Sequence, residues 1–149
     1  FNAFLILTGL ETLPLRMQRH CDNAVTVAGW LSNHPKVAWV NYPGLPSDKN
    51  NALQKKYSPL GAGAVFTFGL KGGYEAGVKF VEALELFSHL ANVGDTKSLV
   101  IHPASTTHRQ LSDEQKVKAG AGPDTVRLSI GIEDVTDIVA DLEQALAKV

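Results

Sequence analysis

The stretch Val126-Arg-Leu-Ser-Ile-Gly-Ile-Glu-Asp134 decides the reading of the fold. Its residues alternate strictly. Val126, Leu128, Ile130 and Ile132 fall on one face of an extended chain, and Arg127, Ser129 and Gly131 on the other, the period of a half-buried β-strand. Arg127 therefore points away from the apolar layer, flanked by small residues that leave room for a ligand. The strand runs into a segment from Asp134 whose Val135, Ile138, Val139, Leu142 and Leu146 form one apolar helical face.

Upstream, strand and helix patterns alternate. Residues 2 to 9 form a helical turn expected to stop near Gly9, and Thr12 is placed to cap a longer helix with Pro14 tolerated in its first turn. The stripe Met17, Cys21, Ala24 or Val25, Ala28, Leu31 keeps three-to-four spacing, and Asn33-His-Pro35 ends the helix. A short β-rich run, Val37 to Tyr42, is broken by Pro43-Gly44, and Lys49 to Tyr57 has the polarity of a solvated helix. Ala64 to Leu70 is dense in aromatic and β-branched residues, and Gly72-Gly73 turns the chain into a helix over about Tyr74 to Leu84. A brief strand is expected near Leu86. Ser112-Asp-Glu-Gln115 is a capping box, and the helix it opens stops at Gly120 to Gly122. Short strands alternating with one-sided helices predict an α/β fold, a two-layer sandwich with helices on one face of a small sheet.

Composition sets the outer bounds. With 149 residues, 44% hydrophobic and 19% charged, the chain suffices for one compact domain over residues 1–149. Fourteen basic against fifteen acidic residues give no long-range attraction for nucleic acid or an anionic membrane, so neither is expected as a partner. No apolar run reaches the roughly 18 residues of a membrane span, and a cytoplasmic protein is the simplest expectation. The lone Cys21 reads as a small buried hydrophobe with no catalytic role.

The segment Leu86-Phe-Ser-His-Leu-Ala-Asn-Val-Gly-Asp-Thr-Lys-Ser-Leu-Val-Ile-His-Pro-Ala-Ser-Thr-Thr-His108 is too polar and irregular for ordinary core, and reads as a binding loop. Together with Phe1-Asn-Ala-Phe-Leu5, Leu13-Pro-Leu-Arg-Met-Gln-Arg-His20, Tyr42-Pro-Gly-Leu45 and Gly131-Ile-Glu-Asp134, it resembles the C-terminal domain of the cystathionine gamma-synthase-like enzymes of cysteine and methionine metabolism. These depend on pyridoxal 5'-phosphate (PLP) and belong to the aspartate aminotransferase fold type, fold type I. The likeness spans essentially the whole chain and is nearest the O-acetylhomoserine sulfhydrylase branch.

The resemblance implies a fold, a cofactor and a division of labour. Family members are longer chains whose upstream domain carries the Schiff-base lysine and most cofactor contacts. This chain is therefore expected to be a C-terminal piece, inactive by itself and with no cofactor or metal ligands of its own, belonging to a transferase that is usually a homotetramer. Its substrate is a small amino acid. Same-family alternatives are a cystathionine synthase, a cystathionine gamma-lyase or a methionine gamma-lyase; a non-catalytic ligand-sensing α/β domain is the alternative from another class.

Three residues are expected to hold substrate. Arg127 offers a guanidinium fork that matches a carboxylate in bidentate geometry; by pattern alone it reads as an arginine on a solvated strand face, and the resemblance makes it the family's α-carboxylate clamp. Asn92 can donate to a carboxylate or simply shape the turn before Gly94-Asp95, and an asparagine there, where the lyase branches place serine, favours the sulfhydrylases. Thr107 is as easily a turn cap as a substrate contact. Ser98 reads as a turn residue, His102 as a loop-fixing hydrogen bonder, and His102 with His108 lacks the neighbours of a zinc site. Neither Lys71 nor Lys97 sits in a Schiff-base motif, and Gly61-Ala-Gly63 and Gly120-Ala-Gly122 are turns, not phosphate loops.

Overall fold

The computed structural model describes all residues, 1–149. Eleven elements follow one another: α1 (Asn2–Glu11), α2 (Leu13–Ser32), β1 (Val37–Asn41), α3 (Asn51–Tyr57), β2 (Val65–Leu70), α4 (Gly73–Ala83), β3 (Ser88–His89), β4 (Leu99–Ile101), α5 (Asp113–Lys118), β5 (Thr125–Ser129) and α6 (Val135–Ala147). The strands form one sheet in the order β1-β2-β5-β4-β3, antiparallel except for the β4–β3 pair. β5, the last strand in sequence, lies at the centre.

The alternation in β5 does what its period demands. Val126, Leu128 and Ile130 are fully buried, with Phe66 and Phe68 of β2 and Val100 of β4 in register on the same face. That face packs against α2, α4 and α6 through Ala24, Val27, Ala28, Leu31, Phe80 and Leu142. Phe68 meets Phe80 edge-on at a centroid separation of 5.7 Å. The architecture is the expected two-layer α/β sandwich.

Three local expectations are corrected. α1 runs through Gly9 to Glu11, because a helical glycine costs only about 1 kcal/mol and Arg16 Nη2 donates back to the Gly9 carbonyl at 2.6 Å. Thr12 is the junction between α1 and α2 but caps no backbone N–H; its hydroxyl accepts from Arg16 Nε at 3.2 Å instead. Ala24, Ala28 and Leu31 of the expected stripe are buried, but the face is rotated at its start, where His20 and Asn23 are buried while Met17 is 37% exposed and Cys21 is half-buried. The rotation has a cause. His20 and Asn23 are polar, but each bonds main-chain carbonyls at the end of β5, which lets the face turn inward with its polar groups paired.

Elsewhere the local chemistry behaves as read. Ser112 and Gln115 form the reciprocal capping box of α5, and Gly120 ends the segment with φ of 71°, in the left-handed region. The brief strand expected near Leu86 forms two residues later, as β3. Residues 85 to 87 instead present three main-chain N–H groups to the buried carboxylate of Asp141 on α6, at 2.9, 2.9 and 3.3 Å.

Candidate functional site

The site begins on the sheet face opposite α2, α4 and α6, where Thr125, Ser129, Leu99 and Ile101 are buried within the chain and Arg127 is the more exposed residue. Arg127 pairs in register with Thr67 on β2 and Ile101 on β4, so all three side chains share that face. Arg127 is half-buried. Its Nη2 donates to the main-chain carbonyl of Asn92 at 3.1 Å, which steers the guanidinium toward the β3–β4 loop. It has no carboxylate partner within the chain. A fixed, always charged fork without an internal anion is suited to binding a carboxylate from outside.

Asn92 is exposed and joins Arg127 through its main chain. Its side-chain Oδ1 accepts from the Val93 N–H at 2.8 Å, closing the turn, and no chain partner takes its Nδ2. Its amide N–H groups are therefore unspent within the chain. Thr107 is also exposed; its hydroxyl pairs with His108 Nδ1 at 2.9 Å, and no hydrogen bond joins it to Arg127 or Asn92. The structure thus brings Arg127 and Asn92 together and leaves Thr107 outside their hydrogen-bonded unit.

Ser98, read as a turn residue, is fully buried and central to the loop's anchorage. Its N–H and hydroxyl both donate to the Glu133 carboxylate, at 2.6 and 3.0 Å, and the hydroxyl accepts from Gly131 N–H at 2.9 Å. Ile132 N–H donates to the Thr96 carbonyl at 3.0 Å. Gly131 must be glycine, since a Cβ there would collide with the Glu133 carboxylate and with the main chain of Thr96 and Lys97. His102 fixes the segment after β4: Nε2 donates to the Pro123 carbonyl at 2.8 Å, and Nδ1 accepts from Ser105 at 2.9 Å.

A cleft of about 290 Å³ opens between the first half of α2, the strand row Val65–Ser129 and the turn Val93-Gly94; Arg127, Asn92 and Thr107 are not among its lining residues. His20 lines it. Its Nδ1 lies 2.6 Å from the Ile130 carbonyl, which can only accept, so Nδ1 carries the proton and Nε2 is left as a buried acceptor with no partner. A larger groove of about 950 Å³ lies elsewhere, against α5; its walls mix Arg109, Lys116 and Lys118 with Asp113 and Glu114, and it shares no residue with the cleft.

No lysine is buried. Lys36 Nζ donates to the carbonyls of Leu146 and Val149, and Lys71 Nζ to that of Pro35, so both amines serve the fold. No group of three or more His, Cys, Asp or Glu side chains is placed to hold a metal ion, and no helix is long and apolar enough to cross a membrane.

Glu133, His20 and Asn23 are the residues that sequence reasoning missed. All three stand in or beside quoted motifs, but hydrophobic periodicity carries no signal for a polar side chain whose partners are main-chain groups over 30 residues away.

Residues 1–147 match the family described as Cys/Met metabolism PLP-dependent enzyme. The chain is 57% identical to O-acetyl-L-homoserine sulfhydrylase of Leptospira meyeri over 100% of its length, and 56% identical to O-acetyl-L-homoserine sulfhydrylase 1 of Thermus thermophilus over 99%. Homocysteine synthase of Schizosaccharomyces pombe is 56% identical over 98% of the chain. The chain spans only 34–35% of the length of these relatives. Among solved structures, a putative O-acetylhomoserine (thiol)-lyase from Campylobacter jejuni, which carries a pyridoxyl-lysine phosphate, superimposes with a TM-score of 0.91 at 48% identity, covering 98% of this chain and 35% of that one.

Proposed function

Because the chain belongs to the family of Cys/Met metabolism PLP-dependent enzymes, we propose that it is the C-terminal, substrate-carboxylate-binding domain of an O-acetylhomoserine sulfhydrylase, the enzyme that makes homocysteine from O-acetyl-L-homoserine and sulfide. The observation that carries this reading is Arg127, a half-buried cation on the central strand, on the sheet face opposite the helices, with no anion of its own.

The domain's share of the work is positioning. The Arg127 guanidinium takes the substrate's α-carboxylate, and Asn92 Nδ2 adds a second donor alongside it. Thr107 joins them as a proposed substrate contact on the family resemblance alone. Two donors fix the carboxylate's orientation as well as its place, and so fix the direction of the Cα–H bond that must break. PLP, when bound, supplies the electron sink that lets that proton and then acetate leave. The residues that hold it, the Schiff-base lysine among them, lie in the rest of the full-length polypeptide on this reading.

One feature of the chain supports a large partner domain. The helix α1 buries none of its residues, with Phe4, Leu5, Ile6, Leu7 and Leu10 each at least half exposed. Such an apolar strip is what a domain presents where another packs on it. The full protein is then a cytoplasmic homotetrameric transferase, and this chain by itself is inactive.

The test is product analysis by mass spectrometry on the full-length protein with PLP, O-acetylhomoserine and sulfide. Homocysteine formed only when sulfide is present is the expected result. Ketobutyrate and ammonia released without sulfide would place the protein among the lyases, and absence of any cofactor-dependent chemistry would overturn the enzymatic reading.

A further inference from the structure

The loop that carries Asn92 holds itself together with little more than the Asn92 turn and a bond from Lys97 N–H to Asp95 Oδ1 at 3.0 Å. Its position on the sheet is set at its two ends. At one end Arg127 grips the Asn92 carbonyl. At the other, Ser98 and Thr96 are bonded to the segment just past β5, and the centre of that anchorage is one carboxylate, that of Glu133.

Glu133 is itself held from behind. Its main-chain carbonyl accepts from Asn23 Nδ2 at 2.9 Å and from Arg19 Nη2 at 3.3 Å, tying it to α2. Its carboxylate takes part in no ion pair, and both oxygens are spent on the neutral donors of Ser98. Hydrogen bonds to an ionised acceptor are the stronger kind, and here two of them converge on one residue of the loop. Leu99, next to Ser98, pairs with Ser129, and two residues on Ile101 pairs with Arg127. A shift of the loop at Ser98 therefore displaces Asn92 relative to the guanidinium.

We propose that Glu133 is a positioning residue for the carboxylate clamp: it fixes the β3–β4 loop through Ser98 and so sets the place at which Asn92 meets Arg127. The inference rests on reading Arg127 as the clamp. A supporting group of this kind matters because loss of about an ångström of placement at a binding constellation is enough to weaken it.

The experiment compares Glu133→Ala, Glu133→Gln, Ser98→Ala and Arg127→Ala in the full-length holoenzyme. Steady-state kinetics on the amino-acid substrate are paired with hydrogen–deuterium exchange of the amides of Val93, Lys97 and Ser98. Glu133→Ala is expected to raise KM at least tenfold with less than a fivefold fall in kcat, and to speed exchange of those amides at least tenfold. Glu133→Gln keeps an acceptor for the Ser98 N–H and is expected to restore KM to within threefold. Ser98→Ala, which removes only the hydroxyl and keeps the Ser98 N–H to Glu133, is the second variant should Glu133→Ala fail to accumulate, and is expected to raise KM about threefold. A KM left unchanged by Glu133→Ala and Ser98→Ala, with Arg127→Ala still raising it, would overturn the positioning role whether or not the loop exchanges faster. A KM untouched by Arg127→Ala would show instead that the clamp reading has failed, and the positioning role would fall with it.

Discussion

Arg127 meets Asn92 through the main chain: Nη2 donates to the Asn92 carbonyl at 3.1 Å, while the Asn92 side chain bonds the Val93 N–H through Oδ1 and leaves Nδ2 without a partner in the chain. The two residues are therefore coupled in a way that survives truncation of Asn92, and the amide's separate contribution can be isolated by substitution.

Asn92→Asp keeps the shape and the turn-closing acceptor but replaces the unspent donor with negative charge. In the full-length enzyme KM for the amino-acid substrate should rise at least tenfold, by repulsion of the carboxylate, while the melting temperature stays within a degree or two. An unchanged KM would remove the Asn92 side chain from the substrate site.

His20→Leu should destabilise the protein by about 1 to 3 kcal/mol, the cost of leaving the buried Ile130 carbonyl without its donor. Urea titration of the two proteins measures it. The loss is tempered because the unpartnered Nε2 disappears as well, so a difference above that range would mean that His20 does more than hold β5 to α2.

Much of the fold was legible because its signals are local. The apolar face of α6 and the Ser112–Gln115 capping box each depend on residues within a few positions of one another, and each formed as read; in β5 the apolar face formed as read, but the strand ends at Ser129 and the other face is buried too, at Thr125 and Ser129, leaving only Arg127 partly exposed. The start of the α2 face was misjudged because hydrophobicity favoured Met17 over His20 and Asn23, whose burial depends on carbonyls about 110 residues away, while Ala24, Ala28 and Leu31 were buried as read. Of the site, Arg127 could be found from the strand period and the family likeness. Glu133 could not, since its partner Ser98 lies 35 residues earlier and was read as a turn.

Asp134 caps α6, its Oδ1 accepting from the Thr136 N–H and hydroxyl at 2.9 and 2.7 Å. The side-chain hydrogen bond from Thr136, followed by its backbone N–H, holds the carboxyl below the usual aspartate range. A carboxyl depressed in the folded state stabilises fully above its unfolded value, and that stabilisation drains away as pH falls through the folded value. Asp134→Asn retains a capping oxygen but cannot titrate, so its stability should vary less with pH than the parent's below the ordinary aspartate range. Parallel acid-unfolding curves for the two would contradict this.

The clamp itself is tested most directly by Arg127→Ala in the full-length protein, measuring kcat/KM for O-acetylhomoserine with sulfide saturating. Removing one partner of a charged hydrogen-bonded pair costs about 2 to 5 kcal/mol, and a loss of that size, with KM raised and the fold intact by melting temperature, is the result expected of a carboxylate clamp. A loss below about tenfold, which is about 1.4 kcal/mol, would contradict it and leave Arg127 as an ordinary cation on the sheet face opposite the helices.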